Sequence, residues 1–81
     1  MTQVRLWGAL RPAAQGLSIV ELPATTIREL FQLLEERYPK MQPFIEQGVA
    51  VSINGVVYQD DWSTTIPKDA EVYLLPRIEG G

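Results

Sequence analysis

The alternation of apolar and polar residues predicts five β-strands and one main helix. In the first strand, Val4 and Leu6 fall on one side, whereas Trp7 falls on the other with polar neighbours. The second strand has no clean period of two, so the pattern does not decide which of its faces is buried. The strands are predicted over residues 2–7, 17–22, 49–53, 56–58 and 71–75.

The most strongly patterned element is a helix that begins after Thr26 and ends before Pro39. Thr26 is a favoured N-cap, and Glu29 lies three residues later, where its carboxylate is expected to accept a hydrogen bond from the cap's own N–H. The charged side chains of the opposite face are interpreted as solvated surface. One apolar stripe at helical spacing is expected to face the core, with Leu30 and Phe31 at its centre: Ile27, Leu30, Phe31, Leu34 and Tyr38.

The segments between these elements carry turn signals. The pair Asn54-Gly55 separates two apolar runs, which is the strongest short signal for a β-hairpin. Residues 11–16 are expected to form a turn or one helical turn. Residues 41–48 are interpreted as a loop or short turn that carries Phe44 and Ile45 inward.

Gly80 and Gly81 close the sequence a few residues after the last predicted strand. Pro76 is expected to stop that strand, because proline cannot donate to a ladder. The segment 77–81 is expected to be a flexible tail that reaches about 17 Å from a domain formed by residues 1–76. Two residues without Cβ atoms make a thin thread that fits a narrow active site. The terminal carboxylate of Gly81 is therefore a candidate working group, and a frayed end without function is the alternative.

Composition narrows the chemistry further. The 81 residues are 46% hydrophobic and contain neither cysteine nor histidine, so thiolate zinc sites and the usual general base are excluded. The net charge of −3 argues against nucleic-acid binding. No apolar run is long enough for a membrane span and no signal-peptide pattern is present, so a cytoplasmic location is expected. The adjacent Asp60 and Asp61 offer too few oxygen ligands for a cation site and are interpreted as a turn.

The order strand, strand, helix and three further strands predicts an α+β fold, in which a single helix covers one face of a sheet. The pattern alone leaves the position of the last strand open. Several motifs with characteristic order and spacing add to this picture: Val4-Arg5-Leu6-Trp7, residues 24–30, Val51-Ser52-Ile53-Asn54-Gly55, residues 68–72, and Leu74-Leu75-Pro76 before Gly80-Gly81.

In these motifs the chain resembles the MoaD/ThiS family of ubiquitin-like sulfur carriers, and above all the small subunit of molybdopterin synthase. The resemblance covers nearly the whole chain. Two positions depart from the molybdopterin type, which often has a second proline at Arg77 and Gly-Asp at Ala70-Glu71. The segment Leu10-Arg11-Pro12 is similar to carriers that supply cysteine synthesis.

The resemblance implies a β-grasp fold with a mixed sheet of four to five strands, in which the last strand is central and parallel to the first. It also implies that a ubiquitin-activating-type adenylyltransferase uses ATP to adenylate Gly81, and that sulfide then displaces AMP to leave a thiocarboxylate. A sulfur-accepting enzyme, such as the molybdopterin synthase large subunit, would receive the sulfur. The chain would bind no permanent cofactor and would not be catalytic alone.

Two other classes of function stay open. The activated Gly81 could be captured by a lysine amine, which would make the chain a protein modifier. Alternatively, the chain could be an interaction domain with an inert tail. Within the carrier class, molybdopterin synthesis is favoured, and thiamine and cysteine synthesis are the alternatives.

The alternation of side chains between the two faces of a strand predicts a docking surface for the partner enzymes. Trp7 faces away from Val4 and Leu6, and Tyr73 and Leu75 face away from the buried residues of the last strand. If the two strands are neighbours, as the resemblance implies, these three side chains form one exposed apolar patch. The alternative is that Trp7 packs under the loop after Gly8, or that the tail covers the cluster. The residues at the start of the tail are also predicted to bind the partners: Pro76, Arg77 and Ile78.

Overall fold

The computed structural model describes residues 1–59 and 61–76. Within these ranges, two α-helices and five β-strands are joined by connections that include short 3₁₀ turns at Gly8–Leu10, Pro12–Ala14 and Pro39–Met41. The helices are α1 (Ile27–Arg37) and α2 (Gln42–Gln47). The strands are β1 (Thr2–Leu6), β2 (Ile19–Leu22), β3 (Val49–Ile53), β4 (Val56–Tyr58) and β5 (Val72–Pro76).

The strands form one mixed sheet in the order β2-β1-β5-β3-β4. Strand β5 lies at the centre, parallel to β1 and antiparallel to β3, while the two hairpin-connected edges are antiparallel. This confirms the α+β architecture and the central, parallel last strand that the family resemblance implies. No helix in the described part of the chain has the length and apolar character needed to cross a membrane.

The core lies between α1 and one face of the sheet. Val4 and Leu6 of β1 are buried there, and Leu30 and Phe31 of α1 are 0% and 3% exposed, as the helical period predicts. The structure also settles the face of β2 that the pattern left open. Val20 and Leu22 are buried, whereas Leu17 and Ile19 are each 42% exposed on the other side.

The cap of α1 differs in one detail from the expected geometry. The Thr26 hydroxyl accepts a hydrogen bond from the Glu29 N–H at 3.2 Å, as predicted. The Glu29 carboxylate, however, reaches chiefly to Thr25, whose N–H donates to it at 3.0 Å and whose hydroxyl also donates to it. Both donors of Thr25 reach the same carboxylate oxygen, Oε1. The Thr25 hydroxyl, and then its N–H, hold the pKa of the Glu29 carboxyl below its usual value.

The prediction of a loop or short turn over residues 41–48 was wrong, although Phe44 and Ile45 do face inward as predicted. This segment forms the end of a 3₁₀ turn and then α2, which buries Ile45 and half-buries Phe44. Pro39 and Pro43 lie in the first turns of these short helices, where a missing N–H costs nothing.

Two connections follow the turn chemistry of the sequence. Asn54 and Gly55 have φ of 50° and 87°, which is the left-handed backbone of a type I′ hairpin between β3 and β4. The region predicted as one turn at 11–16 holds a 3₁₀ turn and ends on Gly16, at φ 81°.

The long connection before β5 closes the N-terminal end of α1. The N–H groups of Ile27 and Arg28 donate to the carbonyl oxygens of Thr64 and Trp62, at 3.1 and 2.9 Å. These are donors that a helix cannot satisfy internally. The Trp62 ring also packs edge-on against Phe31, with 5.1 Å between ring centres. The connection therefore anchors the helix to the sheet, although Asp60 lies outside the described residues.

Candidate functional site

The sheet face opposite α1, here called the outer face, carries the residues that the sequence singled out. Its strands are in register across the whole sheet. Arg5 lies opposite both Ile19 and Tyr73, and Ser52 lies opposite both Tyr73 and Val57. One row of side chains therefore crosses all five strands: Ile19, Arg5, Tyr73, Ser52 and Val57.

Trp7, Tyr73 and Leu75, here called the docking patch, lie together on this face. The Trp7 N–H donates to the Leu74 carbonyl at 3.1 Å, which continues the parallel pairing by one residue and places Trp7 beside Leu75. Trp7 is 59% exposed, while Tyr73 and Leu75 are half-buried. Leu75 also lies opposite Ala50, which is fully buried. The three residues therefore lie on the face that strand alternation predicts. Their role in partner binding stays a prediction.

Two polar contacts hold Tyr73 in place across the sheet. The guanidinium carbon of Arg5 lies 5.8 Å from the centre of the Tyr73 ring. The Tyr73 hydroxyl donates to the Glu71 carboxylate at 3.4 Å. A cation over an aromatic face is attracted by the ring's negative quadrupole, so the ring and the guanidinium orient each other.

A cleft beside the docking patch was not predicted from the sequence. It has a volume of about 560 Å³ and is here called the arginine cleft. Two arginines from different elements, Arg5 and Arg11, line it, because the 3₁₀ turn after β1 folds back towards the start of β2. Its lining is Arg5, Leu6, Trp7, Gly8, Arg11, Ser18, Ile19 and Tyr73. An exposed apolar residue, Ile19, could have indicated this cleft. The sequence pattern of β2 did not show which of its residues are exposed, so the cleft was not predicted.

The predicted tail residues Arg77, Ile78, Gly80 and Gly81 lie outside the described residues, so their assignments stay predictions. The last described residue, Pro76, ends β5 opposite Val49. Strand β5, the central strand of the sheet, therefore ends at the residue that follows Leu75 of the docking patch.

The outer face of the described residues presents exposed apolar and cationic side chains. Residues 1–59 and 61–76 hold no group of three or more acidic side chains that could bind a metal ion. The Thr25 hydroxyl and N–H lower the pKa of the Glu29 carboxyl, which belongs to the cap of α1 and lies outside the outer face. The chemistry that this arrangement supports is recognition of a partner beside the end of β5.

Comparisons with known proteins agree with this geometry. A structure of the Amycolatopsis orientalis BexX/CysO complex contains a similar chain, with 18% identity, 98% coverage of both chains and a TM-score of 0.76. Subunits 1 and 2 of the molybdopterin-converting factor of Helicobacter pylori form a complex that also contains a match. It has 22% identity, coverage of 98% of this chain and 96% of that one, and a TM-score of 0.69.

The small archaeal modifier protein 1 (SAMP1) of Methanosarcina acetivorans is 25% identical, with coverage of 98% and 94% and a TM-score of 0.71. No curated protein matches the chain in sequence. A model of the ThiS family matches residues 4–81, which is nearly the whole chain. With the central parallel β5 and α1 packed on one face of the sheet, this match shows that the chain belongs to the ThiS family, among the ubiquitin-like sulfur carriers of the MoaD/ThiS type.

Proposed function

We propose that this protein carries sulfur as a thiocarboxylate on Gly81 and donates it to an acceptor enzyme. The family match over residues 4–81 is the observation that carries the proposal, because it includes the Gly80-Gly81 pair. The absence of cysteine from the sequence supports it as well. Sulfur bound covalently to this chain must sit on a group other than a thiol side chain.

The chemistry begins with an unreactive carboxylate, whose leaving group would be oxide. A carboxylate oxygen of Gly81 attacks the α-phosphorus of ATP in an adenylyltransferase of the ubiquitin-activating type, and pyrophosphate leaves. Hydrosulfide, released from a persulfide by a thiol reductant, then attacks the acyl carbon and expels AMP. The product is a thiocarboxylate, an anionic nucleophile at neutral pH that attacks an acceptor in the second enzyme.

The chain itself supplies the reagent and the surface that partners recognise. The docking patch of Trp7, Tyr73 and Leu75 binds the activating enzyme, and the segment Pro76, Arg77 and Ile78 leads Gly81 into its active site. ATP is consumed by that partner, so no permanent cofactor belongs to this chain. The dependence on ATP and reduced sulfur fits a cytoplasmic location.

Molybdopterin synthesis is the proposed pathway, with the large subunit of molybdopterin synthase as the acceptor. Thiamine and cysteine synthesis are its alternatives, because Arg77 and Ala70-Glu71 depart from the molybdopterin type. A second candidate function is protein modification, in which a lysine amine captures the activated Gly81. The likeness to SAMP1, which is named as a modifier, favours this candidate.

Intact-mass measurement tests the carrier function. The chain is incubated with a ubiquitin-activating-type adenylyltransferase from the same organism, ATP and sulfide. We expect the mass of the chain to rise by the difference between one sulfur and one oxygen. Isopeptide-linked adducts in place of this product would favour the modifier, and an unchanged chain with active enzyme would contradict both.

A further inference from the structure

We infer that the arginine cleft is a subsite for an acidic loop of the activating enzyme, in which a carboxylate binds Arg5 and Arg11 and a neighbouring apolar side chain packs on Trp7. The inference rests on the proposed function for the identity of the partner. The subsite itself is argued from charge, geometry and exposure. It extends the docking patch towards β2.

The charge of the cleft is opposite to that of the protein. The chain has a net charge of −3, yet the charged residues that line the cleft are both arginines, Arg5 and Arg11. The Glu71 carboxylate contacts the lining, where it accepts the hydrogen bond of the Tyr73 hydroxyl. A local field of this sign attracts a carboxylate that the rest of the surface repels.

Within residues 1–59 and 61–76, the two guanidinium groups have unused donors. Neither forms a hydrogen bond or an ion pair with another residue in the described ranges, whereas the Arg37 guanidinium donates to the Glu21 carbonyl at 3.5 Å. Arg5 is nevertheless oriented, because it lies over the Tyr73 ring. A guanidinium that stacks on a ring keeps its in-plane N–H groups free for a bidentate carboxylate.

The walls of the cleft are apolar and open. Trp7 is 59% exposed and Ile19 is 42% exposed, so both present large apolar surfaces beside the arginines. Gly8 adds no side chain between them, and a Cβ at this position would meet no atom within 4 Å. The cleft therefore has room for an apolar side chain next to a carboxylate.

A protein loop fits this site better than a nucleic acid does. A polyanion would be repelled by the net negative charge outside the cleft. The cleft is also continuous with the docking patch, with which it shares Trp7 and Tyr73. A partner that covers the patch thus places its adjoining loop over both arginines.

The first test uses peptides and needs no sulfur chemistry. A capped tripeptide of leucine flanked by two glutamates is titrated into the full chain, and NMR follows the Trp7 indole and the Arg5 and Arg11 side chains. We expect saturable shifts at all three, and binding roughly tenfold weaker for the matched glutamine peptide. Equal binding of the two peptides, shifts elsewhere, or no saturable shift with either peptide would overturn the inference.

The second test uses the activating enzyme. Arg5→Gln together with Arg11→Gln should raise its KM for the chain, reduce the salt dependence of kcat/KM, and leave kcat unchanged, because rim charges act mainly on encounter. Arg28→Gln together with Lys40→Gln removes two exposed charges away from the cleft and controls for net charge. An unchanged KM in the double variant would overturn the inference.

Two substitutions of Gly8, to Glu and to Gln, place side chains of nearly equal size in the cleft that differ by one charge. Gly8→Glu should fill it with a carboxylate from the chain itself and weaken both peptide and enzyme binding relative to Gly8→Gln. Equal binding of these two variants would contradict a charge-selective site. The peptide result is independent of thiocarboxylate formation, so failure of the subsite and failure of the carrier function can be distinguished.

Discussion

Arg5 lies directly opposite Tyr73 in the parallel pair β1–β5, with its guanidinium carbon 5.8 Å from the centre of the tyrosine ring. The two strands are far apart in sequence, and their pairing at the centre of the sheet brings the two side chains together. The same pairing sets Trp7 beside Leu75. The docking patch and the arginine cleft therefore both depend on the position of β5.

Trp7→Ser should weaken binding to the activating enzyme at least about tenfold and change the free energy of unfolding little, because Trp7 is largely exposed. The matched control is Trp62→Ser, which removes the ring that packs on Phe31 and should lower stability without affecting binding. Calorimetric binding and urea unfolding of both variants test this. A large loss of stability in Trp7→Ser would place Trp7 in the core instead.

Phe31→Ala should lower the free energy of unfolding by about 3–5 kcal/mol, because Phe31 is 3% exposed and supports the Trp62 ring. Urea unfolding monitored by circular dichroism measures the change. A loss below about 1 kcal/mol would mean that the phase of α1 is wrong.

Glu29→Gln should lower stability at neutral pH and have a progressively smaller effect in acid. The pKa of Glu29 is lowered from its usual 4.5 in the folded chain, chiefly by the Thr25 hydroxyl. Its stabilising contribution is therefore present above pH 4.5 and is lost as the pH falls through the folded-state value. Thermal unfolding between neutral and acidic pH measures the effect, with Glu36→Gln on the exposed face of α1 as the control for charge. A difference that persists in acid would contradict this account of the cap.

Gly55→Ala should lower the free energy of unfolding by about 1 kcal/mol, because Gly55 adopts φ of 87° in the hairpin turn. A Cβ at Gly55 would meet no atom within 4 Å, so the cost is conformational and not steric. Gly8→Ala also adds a Cβ in open space, but without the left-handed backbone, and should change stability by less than about 0.5 kcal/mol. Equal effects of the two substitutions would contradict the explanation.

The sequence correctly predicted those features that depend on interactions between residues close together in the chain. The stripe from Ile27 to Leu34, the Asn54-Gly55 hairpin and the parity of Trp7 all follow from periods and turn preferences within a few residues. Helix α2 was missed because Pro39 and Pro43 indicate breaks when the helical segment is too short to show a period.

The remaining features depend on long-range contacts. The buried face of β2 could not be chosen, because β2 is short and Ile19 is exposed beside Arg5 on the outer face. Arg11 meets Arg5 only after the 3₁₀ turns fold back, so no spacing in the sequence indicates the cleft. The central position of β5 was expected from the family resemblance alone, since sequential neighbours do not determine it.

The most direct test of the central claim is the position of the sulfur atom in the activated chain. Trypsin cleaves after Arg77 and releases the peptide Ile78-Glu79-Gly80-Gly81, whose fragment masses locate any exchange of oxygen for sulfur. The carrier account predicts the exchange at the terminal carboxylate of Gly81, and its complete loss in a variant that lacks Gly81. Sulfur on any other residue, or an equal mass change in the truncated variant, would contradict it.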